Sequence, residues 1–368
     1  MEKTGNFGFQ FATPAMAIER AVAELRFGRP IILKDDHAAL AVLALDCASP
    51  EVYNQFAAAS GHRHSLLLTA PRAARLGLTL DGDVSVPLDG VSFEEASTLS
   101  YRLGATAPER WHDAGPLMRA SAELARLSLL LPAMICTAIN PGDPQFAACV
   151  TLERSALSDP DQARQQFSIV ARTRVPLMDL GDADFVVFRG GLAQKDQVAI
   201  VVGNPDPGKP VPIRIHSSCL TGDLCGSLKC DCGDQLRNGL KLLKAAGGGV
   251  LLYLDQEGRG TGIGAKMRAY GYQRLGLDTI DADAELGLEP DHRRYEAAVA
   301  MLKLLDIGKV IVYTNNPTKI AGLRAGGIEV LDRNAVIGRI TAENENYLRT
   351  KMQRAGHILD FEALDAAE

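Results

Sequence analysis

The 368-residue chain has no excess of positive charge: 39 lysines and arginines face 45 aspartates and glutamates, a formal net charge of −6. Proteins that read duplex nucleic acid through a basic stripe are normally cationic, so a nucleic-acid polymer is not an expected partner. A long apolar run is also missing. The most apolar stretch, residues 124–139, is broken by Arg126 and Pro132 and is too short to cross a bilayer. The opening segment, MEKTGNFGFQ, has no apolar core of the kind a secretory leader needs. No internal repeat, low-complexity linker or Walker-type Gly-Lys-Ser/Thr sequence is evident. The expectation is a cytoplasmic protein with no membrane partner.

What is present is an ordinary globular composition, 46% apolar and 23% charged, which excludes collagen-like, coiled-coil and largely disordered classes. The length exceeds what one compact core usually organises, so two domains are expected. Of seven cysteines, four lie close together: Cys219, Cys225, Cys230 and Cys232. An odd number, clustered, does not resemble the disulfide framework of a small secreted domain. In a reducing compartment these cysteines read as metal ligands or core filler.

Local patterns alternate between helix and strand in both halves. Residues 17–27, a helix capped by Ser49 with Pro50 at its first position, and a Ser92–Glu95 capping box read as helices. So do residues 234–246, 263–275 and the stretch after Asn316-Pro317, while residues 31–33, 133–139, 185–188, 198–202, 213–215, 250–254 and 310–314 read as strands. A polar segment at Ser158–Asp161 puts the boundary near residue 165. The expected fold class is α/β (α+β), with two mixed-sheet domains, 1–165 and 166–368, and helices packed on the sheets.

A Cys230-x-Cys232 pair with Cys219 eleven residues upstream can wrap three thiolates around one zinc. Structural zinc sites are closed by four protein ligands, whereas catalytic sites keep a position for water. Three thiolates plus water is thus one reading; a closed four-cysteine site including Cys225 and inert core cysteines are the others, and Cys225 is expected not to be a ligand. Further on, Gly260-x-Gly262-x-x-Ala265 matches a dinucleotide fingerprint formally, with Asp281 and Asp283 near the position of a ribose-binding acid. The charged stretch Asp255–Arg259 between strand and glycines argues against that fold. The loop still suits a phosphate, because its glycines bare backbone N–H groups ahead of a helix and Arg259 adds a bidentate cation.

Taken in order, Arg214–Ser217, Cys219–Asp223, Ser227–Gly233, Asp255–Arg259, Leu286–Leu288, Asp291-His292-Arg293, Thr314–Pro317 and Lys319 resemble the GTP cyclohydrolase II family from about residue 167 onward. The resemblance implies opening of the imidazole ring of GTP, with release of formate and pyrophosphate, in riboflavin biosynthesis. It implies zinc on Cys219, Cys230 and Cys232, and Mg2+ with the triphosphate. It also implies GTP contacts from Arg214, Ile215, His216, Ser217, Ser218, Gln235, Glu257, Gly258, Arg259, Thr279, Thr314 and Lys319. Asp291 would be the proton acceptor, Arg293 the nucleophile towards the α-phosphorus, and Tyr270 a neighbour of the ring-opening step; relatives suggest a homodimer. Guanidinium stays protonated near neutral pH, so stabilising transition-state charge is the simpler role for Arg293. Ser218 stands where the family usually carries glutamate, which raises the alternative of a non-hydrolysing GTP-binding regulatory paralogue.

The first half is similar to dihydroxybutanone phosphate synthase, through residues 17–25, Ile31–Asp36, Thr69–Leu78 and Glu123–Leu127 with Ile135-Cys136. The acidic magnesium loop that the resemblance places after Asp35-Asp36 is replaced by the apolar stretch from Ala38 to Leu45, which offers no carboxylate oxygens. A catalytically inactive domain that packs, stabilises or regulates is expected.

Overall fold

The computed structural model describes residues 14–78, 82–157, 167–191, 196–289, 291–336 and 338–356. The expected boundary near residue 165 lies outside these.

The first half builds one seven-stranded sheet from β1 (Ile31–Lys34), β2 (Ala39–Ala44), β3 (Ser65–Leu68), β4 (Val84–Pro87), β5 (His112–Asp113), β6 (Met134–Ile139) and β7 (Val150–Glu153), in the order β5-β4-β3-β6-β2-β1-β7. Every neighbouring pair is antiparallel except β1 and β7. Alternate residues of β2 enter two different cores: Val42 and Ala44 join Ile31, Leu33 and Leu67, whereas Ala41 and Leu43 join Leu66, Leu68 and Phe56. A strand buried on both faces must be apolar throughout, which is why no acidic loop follows Asp36. Helices α1 (Pro14–Arg26), α2 (Pro50–Ala59), α3 (Ala70–Arg75), α4 (Phe93–Tyr101) and α5 (Pro116–Leu127) complete this half. The expected caps form: Ser49 Oγ accepts from Val52 N, and Ser92 and Glu95 close a reciprocal box.

The second sheet contains β8 (Phe167–Leu177), β9 (Gly181–Gly190), β10 (Asp196–Gly203), β11 (Val211–Ser217), β12 (Gly248–Leu254), β13 (Lys309–Tyr313) and β14 (Glu329–Asn334), in the order β14-β13-β11-β12-β10-β9-β8. Strands β12, β11, β13 and β14 run parallel, and β8, β9 and β10 add an antiparallel flank. Among the described residues, α6 (Cys232–Ala245), α7 (Gly262–Gln273), α8 (Thr279–Glu285), α9 (Glu296–Leu304), α10 (Pro317–Ala325) and α11 (Glu345–Ala355) accompany it. Leu240 and Leu243 of α6 cover one face beside Leu251, and Ala298, Met301 and Leu302 of α9 cover the other beside Ile213, Ile215 and Leu252. Strand β8 was not expected from the sequence: it is exposed along most of its length, so it carries no apolar alternation to read.

The mixed α/β class holds. The parallel strands β11, β12 and β13 all end at one edge, and the segments leaving them, at 218–224, 255–261 and 314–316, meet there. Ligands of open α/β sheets bind beyond such carboxyl ends.

Candidate active site

The meeting loops line one cleft. Its lining includes every metal, substrate and catalytic residue that the family resemblance implies except Ile215 and Asp291. Ile215 faces the core, fully buried, because neighbours along a strand point to opposite faces; only its carbonyl serves the site, accepting from Lys319 Nζ at 2.7 Å. Asp291 stands behind Arg293, accepting at 2.9 Å from Nε and 2.5 Å from Nη2.

One wall is sulfur. The Sγ atoms of Cys219, Cys230 and Cys232 lie within 4.8 Å of one another, and those of Cys219 and Cys230 are 3.7 Å apart. A tetrahedral centre with metal–sulfur bonds of about 2.3 Å requires sulfurs about 3.8 Å apart. The donor set therefore fits a single zinc, and no fourth His, Cys, Asp or Glu joins the group among the described residues. Cys225 is exposed and outside it. The chain brings the sulfurs together by a single π-type turn, Leu220–Leu224, after Cys219 and by starting α6 at Cys232. Gly222 backs the cluster so closely that a Cβ there would meet Cys230 Sγ at 2.9 Å and Cys219 Sγ at 3.1 Å.

Hydrogen bonds hold the Cys219 thiol far below its ordinary range, first those from Cys230 and Cys232 and then that of Lys266 Nζ, 3.1 Å away. Lys266 also meets Glu257 at 2.8 Å and Thr221 Oγ1 at 3.0 Å. Asp223 fixes the turn from beneath, accepting from Cys219 N at 3.0 Å and Tyr253 OH at 2.9 Å, with His216 Nε2 at 3.1 Å. His216 stacks on Tyr253, and burial lowers its pKa.

The phosphate-type loop takes an uncommon shape. Gly258 and Arg259 both sit in the left-handed region, at φ 61° and 59°, a conformation a non-glycine residue seldom adopts without a reason. It turns Arg259 towards Asp283 of α8, 3.8 Å away, and burial raises the Asp283 carboxyl to about 7. Opposite, Arg214 is buried and donates to Gln235 Oε1 at 2.8 Å and to the Tyr313 carbonyl at 3.2 Å, while its Nε has no partner. Burial lowers its pKa to about 10. Gly239 makes room for it, since a Cβ there would meet Arg214 Cδ at 2.3 Å. Tyr270 faces the ammonium groups of Lys229 and Lys266, and burial holds its phenol protonated.

Three kinds of group thus converge in one crevice: a cluster of three thiols, cations suited to phosphate oxygens, and buried amide and hydroxyl groups. The family model for GTP cyclohydrolase II matches residues 168–335. A GTP cyclohydrolase-2 of Xylella fastidiosa (strain 9a5c) is 52% identical over 360 residues, 96% of this chain and 90% of that one.

The chain belongs to the GTP cyclohydrolase II family.

Further members include a GTP cyclohydrolase-2 of Azospirillum brasilense, 36% identical over 93% of this chain and 94% of that one. A riboflavin biosynthesis protein RibBA of Salinispora tropica is 33% identical over 93% and 98%. These likenesses span both halves of the chain, although the family model stops at the second.

Lys266, Gln256, Asn315, Asn316 and Tyr347 also line the cleft and were not singled out as binding residues from the sequence; Asp283, noted there only beside the discounted dinucleotide fingerprint, lines it too. Lys266 had one legible signal, its spacing of four from Tyr270 on the same helix face. Asn316 was read only as a cap, and Oδ1 does accept from Thr318 N at 2.9 Å, but its buried Nδ2 is left without a partner.

Proposed function

We propose that this protein is a zinc-dependent GTP cyclohydrolase II that converts GTP to 2,5-diamino-6-ribosylamino-4(3H)-pyrimidinone 5′-phosphate, formate and pyrophosphate in riboflavin biosynthesis. The observation that carries this reading is the three-sulfur cluster in the wall of a cleft that also presents Arg259, Arg293 and Lys319. Cys219, Cys230 and Cys232 would hold a zinc ion, which would supply Lewis acidity able to lower the pKa of a water to about 7. Lys266 offsets the thiolate charge and fixes Glu257, whose other oxygen accepts from Leu220 N at 2.6 Å, so Glu257 is oriented before substrate arrives. Tyr270, kept protonated, is a hydrogen-bond donor beside the sulfur wall.

At the phosphate end, burial lowers the pKa of Arg293, but the two-point contact with Asp291 more than offsets this and holds the net direction upward. The guanidinium therefore stays a cation, suited to charge developing on the α-phosphate and the departing pyrophosphate, and we assign it that role in preference to nucleophile. Arg259, Thr279, Thr314, Lys319, Arg214, His216, Ser217 and Gln235 would complete the GTP site, with Mg2+ on the triphosphate. Seven free cysteines suit a reducing cytoplasm, and the family resemblance favours a homodimer. The first half, with the apolar core strand β2 in place of an acidic loop, is an inactive synthase-like domain.

Formate and pyrophosphate release from GTP by the zinc-loaded full chain tests the assignment; no formate at any metal loading overturns it. Ser218 favours the regulatory alternative only weakly, because its Oγ is committed to Gln256 N at 3.1 Å. Tight GTP binding without turnover would establish that alternative.

A further inference from the structure

The second half does not build its nucleotide cleft alone. Helix α8 presents Thr279 and Asp283, four residues apart on one face, to the cleft, while Glu285 does not line it. It has seven residues, too few to be stable by itself in water, so tertiary contacts must hold it. Within the second half, Ala265 and Ala269 of α7 and Arg354 of α11, paired with Asp278 and Asp281, supply some of those contacts; the rest come from the first half. Glu285 is buried, and its two oxygens accept from Arg72 and, at 2.6 Å, from Arg75 of α3. Arg72 is itself 1% exposed, and it also donates to the carbonyls of Leu99 at 3.0 Å, Thr98 at 3.3 Å and Arg102 at 2.8 Å, at the end of α4. Thr69 Oγ1 donates to the Gly287 carbonyl at 2.6 Å, just beyond α8. Leu131 completes a small core with Ala265 and Ala269 of α7, Ala282 of α8 and Leu286 just after it.

We propose that the first half is a positioning device for the nucleotide site: Arg72, braced by backbone carbonyls of its own domain, clamps Glu285 and so sets where α8 presents Thr279 and Asp283 to Arg259. A guanidinium whose three nitrogens are all engaged is held in one orientation, and Glu285, bridging Arg72 and Arg75, transmits it. The inference rests on the cleft being the GTP site. Arg72, Arg75 and Glu285 do not line that cleft, so they act through α8 and not on substrate.

The test uses the full chain, with steady-state formate release, zinc content and thermal melting measured on wild type, Arg72→Met, Arg75→Ala and Thr69→Val. For Arg72→Met the KM for GTP is expected to rise about ten-fold, with kcat within about two-fold and zinc content unchanged, because the sulfurs lie on other elements. Arg75→Ala and Thr69→Val leave the Arg72 contact in place, and each is expected to raise KM about three-fold; they carry the test if Arg72→Met does not fold. A wild-type KM in the folded variants, with only the melting temperature lowered, overturns the clamp and leaves the GTP assignment standing. Wild-type protein that releases no formate overturns the assignment and the clamp with it.

Discussion

Replacing Gly222 with alanine isolates the sulfur wall from everything else in the cleft. Gly222 does not occupy the left-handed region, so alanine costs nothing in backbone strain and the perturbation is purely steric. The new methyl would meet Cys230 Sγ at 2.9 Å, Cys232 Cβ at 3.0 Å and Cys219 Sγ at 3.1 Å. Comfortable contacts begin near 3.5 Å, so the sulfurs must retreat by roughly 0.5 Å. Zinc sites tolerate about 0.2 Å, so at least one thiolate leaves bonding distance. We expect zinc affinity to fall by about 10- to 100-fold or more, with an overpacking cost to the fold of only about 1–3 kcal/mol. Zinc content after dialysis, competition with a chromophoric chelator, and the thiolate-to-metal absorption of the cobalt form all report on the site directly. Gly264→Ala, on an exposed face of α7 with open space around its Cβ, is the control and should bind zinc as wild type does. Full zinc occupancy and unchanged affinity in Gly222→Ala would refute the three-sulfur reading.

Asp223→Ala removes the acceptor shared by Cys219 N and Tyr253 OH, and chelator competition should show zinc bound about ten-fold more weakly. Asp291→Asn keeps the shape beside Arg293 but removes its counter-charge; formate release is expected to drop about 100-fold with zinc content unchanged. Asp283 carries a pH signature. Its carboxyl is raised by burial from 3.8 to about 7, so the folded chain keeps a proton that the unfolded chain gives up near pH 4. The stability contributed by that group is complete below about pH 4 and is lost as pH rises towards 7. Asp283→Asn cannot ionise and should be more stable than wild type at pH 8, by up to about 4 kcal/mol, with the advantage gone at pH 4; equal melting temperatures at pH 8 would contradict it.

Much of this protein was written locally. The caps at Ser49, Ser92 and Asn316, the helix starting near Cys232 and the strand leading to Asp255 all depend on a few neighbouring residues, and short-range patterns announced them. The cysteine spacing named a metal chemistry for the same reason: Cys230 and Cys232 are two residues apart along the chain, and Cys219 is one turn and a loop away. Strand β8 escaped because an exposed edge strand has no buried face to impose alternation. Arg72 escaped too; in sequence it is one more arginine in a short helix, and nothing local says that its partner lies 213 residues on.

The sequence by itself determined the mixed α/β class, the sulfur donors, and the cations and glycines available for a phosphate, since each follows from residue type and near-neighbour spacing. Only the tertiary structure decided which of them share one cleft. It placed Lys266 against Cys219, stood Asp291 behind Arg293, and fastened a seven-residue helix of the nucleotide site to the other half of the molecule. Long-range packing makes those decisions, because burial and charge pairing act on whatever the folded chain brings within a few ångströms, however far apart it lies in the sequence.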